Sequence, residues 1–190
     1  MASDRGVRQN RRVVTGHNDA GRSIVISDGP TPNVWTSPDV PGLSAIVAWR
    51  THPGEVRHEG DCDEAPSDVV IGFPETGGTV LRIATFPPDS DYSPEAIEKL
   101  FGSFPSGDSQ DSEGNARHFW FHRTESLDYA IVLSGEISLL TDEDESRLGP
   151  GDVVIQRATN HAWANRGDEP AQVAFVLIGT PPLDLGSGAR

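Results

Sequence analysis

Short runs of alternating apolar and polar residues recur along this chain, separated by turn residues. RRVVTGH (11–17) and SIVIS (23–27) alternate on either side of NDAG, a pattern that predicts a β-hairpin arm. DGPTPN (28–33) is a turn, GLSAIVAWR (42–50) a strand candidate, and 51–76 an acidic, turn-rich loop. TVLRIATF (79–86) is a strand closed by Pro87 and Pro88. Further strands are expected at 117–124, 129–134, 136–141, 147–148 leading to 152–157, 161–165 and 171–178. Turn chemistry separates them at Ser134-Gly135, at 142–145 (DEDE), at 149–151 (GPG) and at 166–170 (RGDEP). Closely spaced strands with no long helical period predict an antiparallel barrel or sandwich.

One segment breaks the pattern. SPEAIEKLFG (93–102) opens with a serine N-cap, proline at the first helical position and an early glutamate, and closes on glycine, which predicts a single short helix. With the polar stretch that follows, it makes 89–116 an insertion far longer than the usual connection of about 4–6 residues. Such an insertion is a candidate lid or a surface loop. The 190 residues suit one core. We expect a disordered tail over 1–10 and a single domain over 11–190, made of N-terminal strands and the acidic loop (11–76), a barrel strand (77–88), the insertion (89–116) and the C-terminal strands (117–180).

A formal net charge of −14 argues against a polyanionic partner, so nucleic acid is not expected. No apolar run approaches the ~20 residues that span a bilayer, and MASDRGVRQNRR lacks the apolar stretch of a secretory signal. These features predict a soluble, cytoplasmic protein with no membrane partner. Cys62 is the only cysteine, which suits a reducing compartment. It lies with His52 and His58 in THPGEVRHEGDCDE, whose spacing matches no closed zinc pattern.

Chemistry concentrates in HFWFHRTESLDYAIVLSGE (118–136). If 117–124 is one strand, His118, Trp120, His122 and Thr124 share a face. Asp128 opens the next strand, and His161, Trp163 and Asn165 alternate along a later one. Two histidines and a carboxylate from three strands, brought into a barrel interior, suit a divalent metal.

Residues 117–178 resemble the double motif of the cupin superfamily. Counting back six residues from Gly135 reaches Asp128 at the position of the family's glutamate, with Thr124 at its second histidine and His122 at its first. GDVVIQRATNHAWAN (151–165) is similar to the second motif, with His161 as its histidine and Asn165 as its asparagine. Arg157 replaces the motif's proline, and the turn is one residue short. The resemblance implies an all-β, cupin-type antiparallel barrel of the double-stranded β-helix or jelly-roll kind, here with an N-terminal β arm and one short helix.

It also implies His122, Asp128 and His161 as ligands of a divalent ion, with Fe(II) favoured and Zn, Mn or Ni as other candidates. The competing reading makes both histidines hydrogen-bonded core residues and Asp128 a turn cap or a partner of Arg123. His118 is a fourth ligand, an acid–base group or a residue at the mouth. Tyr129 and Glu125 are candidate proton carriers, unless Glu125 is only a solvated turn. Arg82 is a candidate anchor for a carboxylate or enolate, or faces outward. Trp120, Thr124, Trp163 and Phe86 are candidate lining residues, or ordinary core.

The implied function is metal-dependent chemistry on a small oxygenated organic substrate of carbonyl, enol or carboxylate type, with a non-haem iron oxygenase slightly favoured. A redox-neutral lyase or isomerase (dehydratase or decarboxylase) and a non-catalytic sensor are the alternatives. By analogy with cupins of this size, a homodimer formed through the arm is expected.

Overall fold

A computed structural model describes residues 10–54, 56, 58, 65, 72–103, 109–110 and 117–184. Apart from Asn10, the expected tail lies outside the described residues, as does Cys62. The strands in chain order are β1 (Arg11–His17), β2 (Ser23–Pro30), β3 (Val34–Thr36), β4 (Ser44–Thr51), β5 (Thr79–Phe86), β6 (Ser109–Gln110), β7 (His122–Arg123), β8 (Ser126–Ser134), β9 (Ile137–Thr141), β10 (Glu145–Leu148), β11 (Val153–Arg157), β12 (His161–Ala164) and β13 (Ala171–Gly179). Among the described residues one α-helix, α1 (Pro94–Ser103), lies between β5 and β6.

The strands form two antiparallel sheets that face each other, in the orders β11-β8-β13-β5-β4-β3 and β10-β9-β12-β7-β6, and a separate β1-β2 hairpin. This is the expected barrel. Its core joins both sheets: Ala130, Val132, Val173, Phe175 and Leu177 from the larger pack with Ile137 and Trp163 from the smaller. The Trp163 and Phe175 rings meet edge-on at 5.3 Å. Alternate residues of β5 and β8 turn inward, so Val80, Arg82, Ala84 and Phe86 share the interior face of one strand, and Ser126, Asp128, Ala130 and Val132 that of the other.

The hairpin arm forms where alternation and turn chemistry placed it. Asn18 Oδ1 accepts hydrogen bonds from the amides of Ala20 and Arg22, which closes the turn. The helix begins as its cap predicts, with Ser93 Oγ accepting from Ala96 N–H. Its apolar side is seated rather than free: Tyr92, Ala96 and Leu100 pack with Val40 and Leu43, against Trp35, Phe119 and Trp120.

One strand is shorter than its alternation suggests. Of 117–124, only His122 and Arg123 form β7, while the residues before them turn. Side chains satisfy the backbone there in place of a neighbouring strand. Trp120 N–H donates to His118 Nδ1 at 3.2 Å, and His122 Nδ1 donates to the Trp120 carbonyl at 2.6 Å.

Two motif positions prove to be structural. Gly135 has φ 74°, and a Cβ there would lie 2.6 Å from the Pro170 carbonyl oxygen and 2.7 Å from Ala171 Cα, so only glycine fits. Asn165 is 1% exposed and fully bonded. Its Nδ2 donates to the carbonyls of Phe86 and Glu169, both at 2.9 Å, and its Oδ1 accepts from Gly167 N–H at 3.0 Å. Asn165→Ala strips a donor from two carbonyls and an acceptor from an amide. It should lower the unfolding free energy by about 2–4 kcal/mol, read as a fall in urea midpoint at constant slope. A loss under about 1 kcal/mol would mean that water replaces these bonds.

Candidate functional site

His122 and His161 face each other as the one residue pair of the β7–β12 ladder, and their ring centroids are 4.4 Å apart. Each ring is held by a main-chain carbonyl two residues earlier: His122 Nδ1 by Trp120, and His161 Nδ1 by Thr159 at 3.0 Å. Those bonds place each proton on Nδ1 and each lone pair on Nε2, the arrangement of a metal-ligating histidine whose tautomer is fixed from behind. The turn carrying Thr159 has lost a residue relative to the resemblance, and Ala158 takes up the difference in the left-handed region at φ 50°.

His161 is 3% exposed, and burial, reinforced by the charge of His122, holds its pKa down to about 3 against the opposing pull of the Thr159 carbonyl. The ring is therefore neutral at physiological pH.

Asp128 is also buried, on the inward face of β8 opposite Gln156 of β11. Gln156 Nε2 donates to Asp128 Oδ2 at 2.9 Å. Asp128 Oδ1 and Gln156 Oε1 both accept nothing within the described residues, so two buried acceptors lie together. Burial pushes the Asp128 carboxyl above its usual range, while the Ser126 hydroxyl and the Arg82 guanidinium pull it down. Gln156 was not singled out from the sequence. The alternation of its strand gave no signal, since it turns Val153 and Ile155 outward and buries the amide.

The donor chemistry of His122 and His161 fits two places in the shell of a borderline divalent ion. The expected third ligand is not with them. Among the described residues no three His, Cys, Asp or Glu side chains lie close enough together to hold an ion. Asp128 instead engages Gln156 along the β8–β11 row.

The other candidates divide by strand parity. Thr124 is 5% exposed and accepts from Ser126 Oγ at 3.1 Å, so it is a polar interior residue. Trp163 and Phe86 belong to the core between the sheets, and Phe86 also meets Trp120 edge-on at 6.5 Å. Tyr129 and Glu125 are exposed, each next in sequence to an inward-facing residue, and neither is placed to carry a proton inside the barrel. Arg82 has the inward parity, but its Nη2 donates to the Gly72 carbonyl and its guanidinium lies 5.1 Å from the Phe73 ring centre. It reaches the interior through its charge on Asp128. His118 departs furthest from expectation. It is not on a strand, and both its ring nitrogens are engaged, Nδ1 by Trp120 N–H and Nε2 by Asp89 Oδ2 at 3.1 Å.

Known proteins resemble the chain over its motif region and over most of its length. The family model described as "Cupin domain" matches residues 110–178. The phomopsin biosynthesis cluster protein C' of Diaporthe leptostromiformis is 48% identical over 94% of this chain and 83% of its own length. The cupin-domain-containing oxidoreductase fogC of Aspergillus ruber is 29% identical over 91% of this chain and 74% of its own length. VirC of Hypocrea virens, which bears the same description, is 28% identical over 94% and 80%. Among solved structures, a Cupin 2 conserved barrel domain protein from Salinispora arenicola is 16% identical over 72% of this chain and 75% of its own, with a TM-score of 0.35. No helix of the described residues is long and apolar enough to cross a membrane.

The buried ionisable groups give stability opposite pH dependences. Below 6.5, the ordinary histidine value, the unfolded chain takes up a proton that folded His161 refuses until about 3. Acidification through that window therefore favours unfolding, by at most about 1.4 kcal/mol per pH unit. Asp128 runs the other way: its raised pKa means that protonation nearer the carboxylate range returns stability. His161→Gln should flatten the decline in urea midpoint between pH 6.5 and about 5, above most carboxylate titration. A decline as steep as in wild type would remove His161 as its source.

Proposed function

Because the chain belongs to the cupin superfamily, whose fold does not by itself fix a reaction, we propose that it is a metal-dependent oxidoreductase acting on a small oxygenated organic compound inside the barrel. The observation that carries this reading is the histidine pair: two rings on adjacent strands, each fixed by a carbonyl at Nδ1, each with its lone pair on Nε2. The names of the Aspergillus ruber and Hypocrea virens relatives support the redox assignment.

His122 and His161 would hold the ion, with Fe(II) favoured over Zn, Mn or Ni for oxygen chemistry on an incompletely ligated site. When bound, such an ion supplies Lewis acidity and, as iron, a centre for oxygen activation. The neutrality of His161 keeps it a donor across the working pH range. Asp128 Oδ1 and Gln156 Oε1 offer acceptors to a substrate hydroxyl or N–H, which would satisfy atoms left unbonded among the described residues. The Arg82 charge opposes the rise in the Asp128 pKa and so favours its ionised, accepting form. Trp163, edge-on to the His161 ring at 6.4 Å, and Phe175 packed against it would make the surroundings of a bound ion apolar.

A redox-neutral lyase or isomerase is favoured by one observation. A carboxyl with its pKa raised by burial, as at Asp128, is suited to moving a proton.

Purified protein, loaded anaerobically with Fe(II) and desalted, should retain near-stoichiometric iron, and both His122→Ala and His161→Ala should lose it while still unfolding cooperatively. Metal-free wild type after such loading, with undiminished stability, would remove the metal-dependent reading. Oxygen uptake by the iron-loaded protein with enol or phenol substrates then separates oxygenase from lyase chemistry. Asp128→Asn should cut turnover about 10²-fold or more if the carboxyl carries a proton.

A further inference from the structure

We infer that Asp89 and His118 are positioning residues, acting through the backbone of Trp120 to fix the tautomer and direction of His122, an inference that rests on the reading of His122 as a ligand. Five residues form one hydrogen-bonded line. Asp89 Oδ1 accepts from Asn165 N–H at 3.0 Å, and Asp89 Oδ2 faces His118 Nε2 at 3.1 Å. His118 Nδ1 accepts from Trp120 N–H, and the Trp120 carbonyl accepts from His122 Nδ1.

The directions are not interchangeable. A main-chain N–H can only donate, so His118 Nδ1 must be bare and the His118 proton must sit on Nε2. The Asp89 carboxylate, an acceptor, holds it there. The Trp120 backbone is then gripped at both its polar ends, and its carbonyl in turn keeps the His122 proton on Nδ1. The carboxylate–histidine arrangement usual directly behind a metal ligand is here displaced by one residue of backbone.

β7 is two residues long, pairing with β12 at one position and with β6 at two, and the residues before it lie outside the sheet, where the His118–Trp120 bond joins the Arg117 bonds to the Thr141 and Asp142 carbonyls in holding the turn. The His118 side chain is 8% exposed and stacks on Phe119 at 4.3 Å, and Phe119 packs on Tyr92 at 4.9 Å beside the helix. His118 is therefore committed to this place, and neither nitrogen is available to a substrate or an ion.

Two variants test the line without relying on turnover. Asp89→Asn keeps the shape of the side chain, but an amide cannot accept from both Asn165 N–H and His118 Nε2–H, so it drives the His118 proton toward Nδ1 and against Trp120 N–H. His118→Phe keeps the stack on Phe119 and removes both bonds. In metal-free protein with ¹⁵N-labelled histidine, wild-type His122 should show a single Nδ1–H tautomer, and each variant a mixture. Titration with Co(II) should give a dissociation constant about tenfold higher in each variant. Cooperative unfolding with an unchanged His122 tautomer and unchanged Co(II) affinity in Asp89→Asn would overturn the inference, whether or not His118→Phe folds. If wild type binds no Co(II), the metal reading fails, and the tautomer measured in metal-free protein still decides the positioning role.

Discussion

Asp89, through its main-chain amide and its carboxylate, and the Asn165 backbone meet in a pair of reciprocal hydrogen bonds, and much of the barrel's end depends on them. Asp89 N–H donates to the Asn165 carbonyl at 2.8 Å, while Asn165 N–H donates to Asp89 Oδ1 at 3.0 Å. One residue follows β5 and the other follows β12, so the two bonds tie the larger sheet to the smaller where neither has a strand partner to offer. The Asn165 side chain continues the tie to the carbonyls of Phe86 and Glu169. Buried backbone groups that leave a sheet must find partners or cost free energy. A single asparagine with every polar atom occupied meets that demand at three points of the chain.

From this junction the constraint runs outward to the chemistry. The second oxygen of Asp89 holds His118, His118 holds Trp120, and Trp120 holds His122. The histidine on the other strand needs no such line, because its own turn supplies the Thr159 carbonyl. The pair is thus supported asymmetrically, one ring through a local turn and the other through contacts that cross the molecule. Both solutions put the proton on the same nitrogen, Nδ1.

Much of this was legible in the sequence, for reasons that differ by feature. Period-two alternation and turn residues give β5 its bounds, and the serine cap with proline behind it places α1 to within a residue. The spacing back from Gly135 finds Asp128 on the inward face, because parity within one uninterrupted strand is rigid. The same parity fails for His118: alternation assumes a strand, and 117–121 is a turn held by side-chain hydrogen bonds, which leave no periodic signal. Tyr129 and Glu125 were drawn in by residue type, although their neighbours' alternation points them outward. The distance of Asp128 from the histidine pair was not legible, since three strands of correct parity still leave open how far apart their inward residues lie along the barrel axis. Gln156 was missed because an amide carries no chemical flag until its partner strand is known.

The motif positions therefore divide by what they cost. Gly135 and Asn165 obey every local rule, one as the residue that fits a left-handed turn and the other as a saturated hydrogen-bonding centre, and they would be needed in a barrel that bound nothing. Asp128 and Gln156 break a rule. Each has a buried oxygen that no described residue bonds closely, and an acceptor left so costs about 1–3 kcal/mol. Burial raises the Asp128 pKa, and the nearby Arg82 charge only partly offsets it. A core selected for stability alone would replace that pair with apolar residues of similar volume. Its presence in the interior of the same barrel that holds the His122–His161 pair is the local inconsistency expected where a fold has been spent on binding.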